Sequence, residues 1–593
     1  MSNNEKMVIS EKEFIVLSYL ATHFDRVSQG TIASEKKMTL DSVNSAINSL
    51  SKNDYINKNY EVTESGFEVL KPFKVTNAVI MAAGLSSRFV PLSYEKPKGL
   101  LNVNGQVLIE RQIEQLIESG ITDIYVVVGY MKELFFYLEE KYNVKLIINN
   151  DFALRNNNGS IYKVREYLDN TYILSSDDYF TENVFEPYIY NSYYAVEYIH
   201  GESTERGVKF NKSGCITETF PNGADCWVLL GHVYWSREFS TAFIKHLDSI
   251  YDKPETKPLL WERIFDKFLD KLPPLYIRKY EGIIHEFDSL DELRAFDHNY
   301  IRNVDSNIIE NICGVLEYLP EELSAFEPLK NGQTNDTFIF HARGQKYVYR
   351  HCSVFTSAIV DRMRESRIQK IAGELGIDRT CIALDPEKGW KISHFVEGTN
   401  ADFNDEEQLK IVINILHKLH ESNVTCDWKI DFRTEIKRIH GLINQISNAY
   451  SNYNRLREMI DKLLDKVEAD NWPLVLCHND INRDNFIISD RHDLIDWEYA
   501  GMNDAAYDIA KLVLKAEVKG DAAKEIIGKY YGRPCTDKEY RHIIACGAIE
   551  DYYWLVWAIY LEKNGRNLES SIYTWYKHAM EYGKEALSLY QAK

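Results

Sequence analysis

The chain has 593 residues, several times the size of an ordinary domain of about 100–200 residues, which excludes a single core. Its 69 basic and 89 acidic residues give a net charge of −20, which argues against nucleic acid or an anionic membrane surface as the main partner. Hydrophobic residues at 45% and only 14 prolines describe a chain folded nearly throughout.

The first 72 residues read as three helical patterns, EKEFIVLSYLATHF, SQGTIASEKK and LDSVNSAINSLSKN, then a short hairpin, YINKNYEVT, and a further helix, ESGFEVLK. That order resembles a winged helix-turn-helix. Its third element would be the recognition helix, yet it offers Asp41 and Lys52, with Lys36 and Lys37 just before it. A DNA reader presents more cations to phosphates, so a dimerisation or regulatory role is favoured over DNA binding. From Val75 buried strands alternate with amphipathic helices: TNAVIMAAG, QVLIERQIEQLIESG, ITDIYVVVGY, KELFFYLEEKY and VKLIIN. Alternation of this kind indicates βαβ units and a doubly wound sheet extending to about residue 300. Beyond it, strand-like LKNGQTNDTFIFHARGQKYVYR precedes a long helical region, which implies a small β-rich lobe and a larger helical one. The expected fold class is multidomain α/β and α+β, with domains at 1–72, 75–300 and 305–593.

In AVIMAAGLSSRFVPLSYEKPKGLL a buried strand runs into small residues and then reaches Arg88 and Lys98. Small side chains let backbone N–H groups approach a polyphosphate, and the two cations neutralise charge developing on it. The pattern resembles the nucleotidyltransferase superfamily, L-A-A-G-x-G-[ST]-R followed by P-K. Here it reads Met81-Ala82-Ala83-Gly84-Leu85-Ser86-Ser87-Arg88, then Pro97-Lys98, with Ser86 where the family usually has a second glycine. The resemblance implies that Ala82, Ala83, Gly84 and Ser87 bind nucleotide and that Arg88 and Lys98 act on the triphosphate. It further implies two Mg²⁺ carboxylates, Asp177 in YILSSDDYF and Asp288 in IIHEFDSLDEL, with Glu286 beside the second. Within the superfamily, SYEKPKGLL, RNNNGSIYKV, SSDDYF and LLWERIF look most like bacterial choline-phosphate cytidylyltransferases. There a phosphomonoester attacks the α-phosphorus of CTP and expels pyrophosphate, which needs positioning and charge neutralisation more than a general base. Asn157, Asn158 and Ser160 are then expected around nucleotide or acceptor, and Trp261, Glu262 and Glu286 around a trimethylammonium group, which asks for aromatic faces and a carboxylate. Arg206 stands where several relatives carry a Trp, a departure that bears on the acceptor.

The strongest motif is LCHNDINRDNFIISDRHDLIDWEYAGMNDAAYDIAKLV. An Asp five residues before an Asn, followed by a strand and a second Asp, supplies what phosphoryl transfer from ATP needs: Asp480 to accept or orient the hydroxyl proton, Asn485 and Asp496 to ligate Mg²⁺. His478 is expected to brace the loop. The spacing resembles the protein-kinase-like phosphotransferases of small molecules, closest to the choline/ethanolamine kinases. The resemblance makes KNGQTNDTFIF the nucleotide-covering loop, puts Arg350 of KYVYR on phosphate, and gives it Glu365 as ion-pair partner. In DYYWLVWAIYLEK, Trp554 and Trp557 lie three apart on one helix face, with Tyr553 beside them; an aromatic wall suits a quaternary ammonium.

The two resemblances imply consecutive reactions. Choline and ATP give phosphocholine, and phosphocholine and CTP give CDP-choline, a headgroup for surface glycans or lipids. Ethanolamine or another acceptor, and a regulator whose domains sense without catalysing, are the alternatives. No stretch approaches the roughly 20 apolar residues that cross a bilayer, and MSNNEKMVIS lacks a secretory apolar core, so a cytoplasmic location without membrane contact is expected. The nine cysteines show no C-x-x-C pair and no zinc spacing, and reduced thiols are expected. Oligomeric state stays open, a homo-oligomer included.

Overall fold

The computed structural model describes residues 9–23, 27–86, 89–287, 289–298, 300, 304–329, 335–352, 359–443, 452–563 and 569–592. The chain divides into two compact units, Met1–Ser306 and Asn307–Lys593.

The first unit begins with four helices, α1 (Glu11–Thr22), α2 (Gln29–Glu35), α3 (Leu40–Lys52) and α4 (Glu64–Leu70). Each starts where a hydroxyl can cap it: Ser10, Ser28, Thr39 and Thr63 accept from backbone N–H groups of the first turn. Between α3 and α4 the hairpin is reduced to one antiparallel bridge, Ile56 to Val62. Val16, Leu17, Ile47 and Leu50 fill the core of this bundle, and Phe14 packs on Phe73 and Tyr190, ring centroids 5.0 and 5.2 Å away.

The α/β layer follows as β1 (Asn77–Ala82), α5 (Leu108–Glu118), β2 (Ile124–Val128), α6 (Tyr137–Tyr142), β3 (Lys145–Ile148), α7 (Asn157–Val164), β4 (Thr171–Ser175) and β5 (Asp178–Phe180). Then come β6 (Tyr193–Glu202), β7 (Gly207–Phe210), β8 (Ile216–Phe220), β9 (Ala224–Trp235), α8 (Arg237–Asp248), α9 (Trp261–Phe268), β10 (Tyr276–Tyr280), β11 (Ile284–Glu286) and α10 (Leu290–Phe296). Among the described residues these build a nine-stranded sheet whose main path is β8-β7-β9-β4-β1-β2-β3. β4, β1, β2 and β3 run parallel, β9 joins antiparallel to β4, and β6 and β10 extend the sheet beyond β9. Side-chain alternation along β1 explains why helices cover both faces. Ala78 and Ile80 join Ile109, Ile113 and Leu116 of α5 on one face, while Val79 joins Ile161 and Val164 of α7 on the other.

The second unit opens with α11 (Asn307–Leu316), β12 (Leu323–Pro328), β13 (Asp336–Ala342), β14 (Gln345–His351), α12 (Arg362–Glu374), β15 (Cys381–Leu384) and β16 (Lys391–His394). Its five strands form an antiparallel sheet in the order β12-β13-β14-β16-β15. The second lobe comprises α13 (Glu406–His420), α14 (Phe432–Leu442), α15 (Tyr453–Asp470), β17 (Leu474–Cys477), β18 (Phe486–Ile488), β19 (Gly501–Asp504), α16 (Ala506–Lys515), α17 (Gly520–Tyr531), α18 (Asp537–Lys563) and α19 (Glu569–Gln591). Central α18 is hydrophobic nearly all round and correspondingly buried. No helix among the described residues is long and apolar enough to cross a membrane.

Candidate active sites

A cavity of about 820 Å³ lies in the first unit, at the carboxyl ends of β1 and β4, where open α/β sheets bind their ligands. Ala82, Ala83, Gly84, Lys98, Asn157, Ser160, Asp177 and Glu286 all line it. Ser87, Arg88 and Asp288 fall outside the described residues. Lys98 is 7% exposed, and its Nζ donates to Asp177 Oδ2 at 2.8 Å. The turn carrying Lys98 presses on the loop carrying Asp177: a Cβ on Gly99 would come within 2.8 Å of Ser176 Cβ and Oγ, so only glycine fits there. Ser86, in the glycine position of the family pattern, has φ +50°.

The remaining expected residues fall on the cavity's flank or behind it. Asn157 Oδ1 accepts the first N–H of α9, from Trp261, at 2.7 Å, and its Nδ2 donates to Glu262 Oε2 at 3.4 Å. Asn157 is therefore both a wall of the cavity and a cap of α9. Glu262 also accepts the Tyr194 hydroxyl at 3.2 Å, and burial raises its carboxyl. Asn158 does not reach the cavity; its amide donates to the carbonyls of Thr256, Lys257 and Leu259 and holds the loop leading into α9. The expectation that Trp261 faces a ligand meets a different placement, because at 1% exposure its indole packs on Trp235 and Phe243 in the core and stacks on Tyr194 at 5.6 Å. Arg206 is held by Asp266 at 2.6 Å and by Thr219. Sequence reasoning passed over Asn149, a buried wall residue at the end of β3 whose Nδ2 donates to Ser160 Oγ at 3.2 Å. It named Asp178 only as the neighbour of Asp177. Asp178 faces Glu286 across the β5–β11 ladder, fully buried, and burial first and Glu286 second push its carboxyl well up.

In the second unit the loop from Cys477 to Asn485 carries the motif. The Asn485 amide donates to the Asp480 carbonyl at 2.9 Å and to its Oδ2 at 3.3 Å, which closes the loop on itself. Asp508 of α16 fastens it from below: its two oxygens accept the backbone N–H groups of His478 and Asn479, both at 2.8 Å, and one also meets His420 Nε2 at 3.0 Å. His478 Nε2 lies 3.0 Å from the Ile495 carbonyl, bracing the segment that presents Asp496. Asp496 takes φ +72°, rare for a residue with a side chain, and its buried Oδ1 has no hydrogen-bond partner among the described residues. Burial, then Glu498, push its carboxyl up to about 8; burial also raises Asp480. Carboxylate and amide oxygens in this set suit a hard divalent cation, as does the Asp177 and Glu286 pair.

The Arg350 guanidinium meets both Glu365 oxygens, at 2.5 and 3.0 Å. Two partners were not foreseen: Arg362, 2.8 Å from Glu365, and Glu498, which accepts from Arg362 at 2.7 Å and from Arg350 at 3.1 Å. Burial alone would raise the Glu365 carboxyl, but the two guanidiniums bring it below its ordinary value. Tyr553, Trp554 and Trp557 of α18 are buried, and Trp554 meets Tyr499 edge-on at 4.8 Å and stacks with Trp575 at 6.2 Å. Of the expected nucleotide-covering loop KNGQTNDTFIF, residues 330–334 fall outside the described residues, and from Asp336 onward the segment is strand β13.

Two family models match the chain: a MobA-like NTP transferase domain over residues 78–182 and the phosphotransferase enzyme family over residues 325–541. The choline-phosphate cytidylyltransferase of Streptococcus pneumoniae is 34% identical over 221 residues, which are 37% of this chain and 96% of that protein. The chain belongs to this cytidylyltransferase family. A second relative in it, the 2-aminoethylphosphonate cytidylyltransferase of Lancefieldella rimae, is 35% identical over 231 residues, 38% of this chain and 94% of that protein. For the other half, the crystal structure of choline kinase LicA from Streptococcus pneumoniae is 24% identical, covers 47% of this chain and 98% of its own, and superposes with a TM-score of 0.42. One polypeptide thus carries a cytidylyltransferase-family domain and, over residues 325–541, a match to the phosphotransferase enzyme family.

Proposed function

We propose that the protein phosphorylates choline with ATP and then transfers CMP from CTP to the resulting phosphocholine, giving CDP-choline and pyrophosphate. The observation that carries this reading is the union, in one chain, of a cytidylyltransferase-family domain with a phosphotransferase whose Asp480 loop stands beside a Tyr499–Trp554–Trp575 aromatic face. Such a face suits a quaternary ammonium, and a phosphorylated amino alcohol is the acceptor class of the partner domain. Asp480 would accept the hydroxyl proton as the γ-phosphoryl group transfers, Arg350 would hold the phosphates, and Glu365 and Glu498 would fix the guanidinium. In the transferase, Lys98 would neutralise charge on the triphosphate and Asn157 and Ser160 would line the path of nucleotide and acceptor. Mg²⁺ would be held by Asn485 and Asp496 in one site and by Asp177 and Glu286 in the other, where it supplies charge neutralisation on the phosphates. Both nucleotides are cytoplasmic cosubstrates, and we place the protein there. We read the N-terminal helices as a winged-helix appendage in a regulatory or dimerising role rather than a DNA reader; α3 exposes Asp41 against Lys52.

A second reading of the transferase half has a specific observation behind it. The described cavity walls offer Phe89 and Phe152 as their aromatic faces, Trp261 lies in the core, and Arg206 is tied to Asp266. A primary ammonium, as in phosphoethanolamine or 2-aminoethylphosphonate, needs donors' partners such as Glu286 more than aromatic walls. The test incubates the chain with Mg²⁺, ATP and CTP and either choline, ethanolamine or 2-aminoethylphosphonate, in wild type, Asp480→Ala and Asp177→Ala. CDP-choline from wild type, from Asp480→Ala only when phosphocholine is added, and arrest at phosphocholine in Asp177→Ala are expected. CTP consumption with 2-aminoethylphosphonate alone would replace the acceptor.

A further inference from the structure

Glu550 lies on α18 one turn before Trp554 and two before Trp557, so all three share a helix face. It is 0% exposed. Its Oε1 accepts the Trp554 indole N–H at 3.4 Å and stands 3.5 Å from Lys511 Nζ of α16, while Oε2 has no hydrogen-bond partner among the described residues. The Tyr499 hydroxyl and the Trp557 indole N–H, on either side of Trp554, are equally unsatisfied. Buried polar groups in native proteins are nearly always paired, so three around one indole point to a ligand. A cavity of about 280 Å³ is lined by Asn482, Lys515, Asp551, Trp575 and His578, and so reaches Trp575, the stacking partner of Trp554, and the chain neighbour of Glu550.

Glu550 sits in a cluster of buried acids and two lysines. Lys511 is ion-paired to Asp551, whose other oxygen meets His578 Nδ1 of α19 at 3.0 Å. Glu550 is then a second acid beside the Lys511 ammonium, with Asp508 of α16 adding negative charge and Lys511 and Lys515 of α16 opposing it. Burial, the largest influence, pushes its carboxyl up to about 8.

We propose that Glu550 is the counter-charge to the substrate's quaternary ammonium, the group that separates a cationic alcohol from a neutral one of the same shape. This rests on the choline reading of the phosphotransferase half. With no cation beside it, Glu550 keeps its proton. As the ammonium settles against Tyr499, Trp554 and Trp575, the carboxyl O–H breaks, the proton leaves to solvent and the carboxylate stays behind.

The experiment compares kcat/KM for choline with that for 3,3-dimethylbutan-1-ol, its uncharged carbon isostere, across pH 6 to 9 in wild type and Glu550→Gln. The ratio cancels the titration of Asp480 and Asp496, which serve both alcohols. In wild type it is expected to favour choline and to rise with pH until about 8; in Glu550→Gln it should fall about tenfold or more and lose its pH dependence. Calorimetry on the wild-type chain, in buffers of different ionisation enthalpy at pH 7, should show most of one proton released on choline binding and none with the isostere. This measurement holds even if the variant fails to fold. A wild type that phosphorylates choline but binds it without proton release, or a variant with unaltered ratio and profile, overturns the role of Glu550 alone. A wild type that neither binds nor phosphorylates choline overturns the choline reading, and this inference with it.

Discussion

Ser86 shows how a motif can depart from its family and keep its backbone. At φ +50° it occupies the left-handed region, which costs an ordinary residue about 1 kcal/mol and costs glycine nothing. Ser86→Gly should therefore leave stability within about 1 kcal/mol of wild type, with the gain in the folded loop offset by the looser unfolded chain. Ser86→Val, β-branched at positive φ, should lower both the melting midpoint and pyrophosphate release from CTP. A thermal melt with a turnover assay reads both. His232 of β9 carries a pH dependence of its own. Its Nε2 lies 2.9 Å from the Tyr193 hydroxyl inside a nest of aromatic rings, and burial first, then the Arg278 charge, lower its pKa from 6.5 to about 3. Between those values the unfolded chain binds a proton that the folded one refuses. The first unit should lose stability as pH falls through that window, by about 1.4 kcal/mol per pH unit. Urea midpoints at pH 7, 6 and 5 should fall less steeply in His232→Gln; equal slopes would assign the acid sensitivity to other groups.

At the scale of elements, α16 acts as the bolt of the Cys477–Asn485 loop through Asp508. Asp508→Asn replaces an acceptor by a donor facing the N–H groups of His478 and Asn479, so phosphotransfer should fall at least about a hundredfold, roughly 3 kcal/mol. Cytidylyl transfer by the same preparation should be untouched, which separates a local effect from general unfolding. Short apolar runs made β1, β2 and β3 legible, and a 3.6-residue period did so for α5. Strands β6 to β9 were not, because YYAVEYIHGE and its partners mix polar and apolar residues along their length. The motif singled out Lys98 for the triphosphate and Asp177 for metal, but not the 2.8 Å ion pair between them, which joins segments 79 residues apart. Arg362, Glu498 and Asp508 were hidden, because each looks like a surface charge in its own segment and is buried only by partners tens to more than a hundred residues away. Trp261 shows the converse: two turns of α9 do not reveal which face meets the core and which the cavity.

At the scale of the whole molecule, each unit has its own hydrophobic core: Met1–Ser306 holds the layers around its nine-stranded sheet, and Asn307–Lys593 holds the cluster centred on α18. Residues 1–306 and 307–593 produced separately should each melt cooperatively and retain their own reaction. Loss of cytidylyl transfer from 1–306 alone would show that this half needs its neighbour. One polypeptide with two compact units also constrains supply. A ribosome delivers both catalysts in a fixed one-to-one ratio, so neither can be raised without the other by transcription. Synthesis releases residues 1–306 first, so on the reading proposed above a premature stop after residue 306 would leave cytidylyl transfer without the phosphorylation that supplies its acceptor.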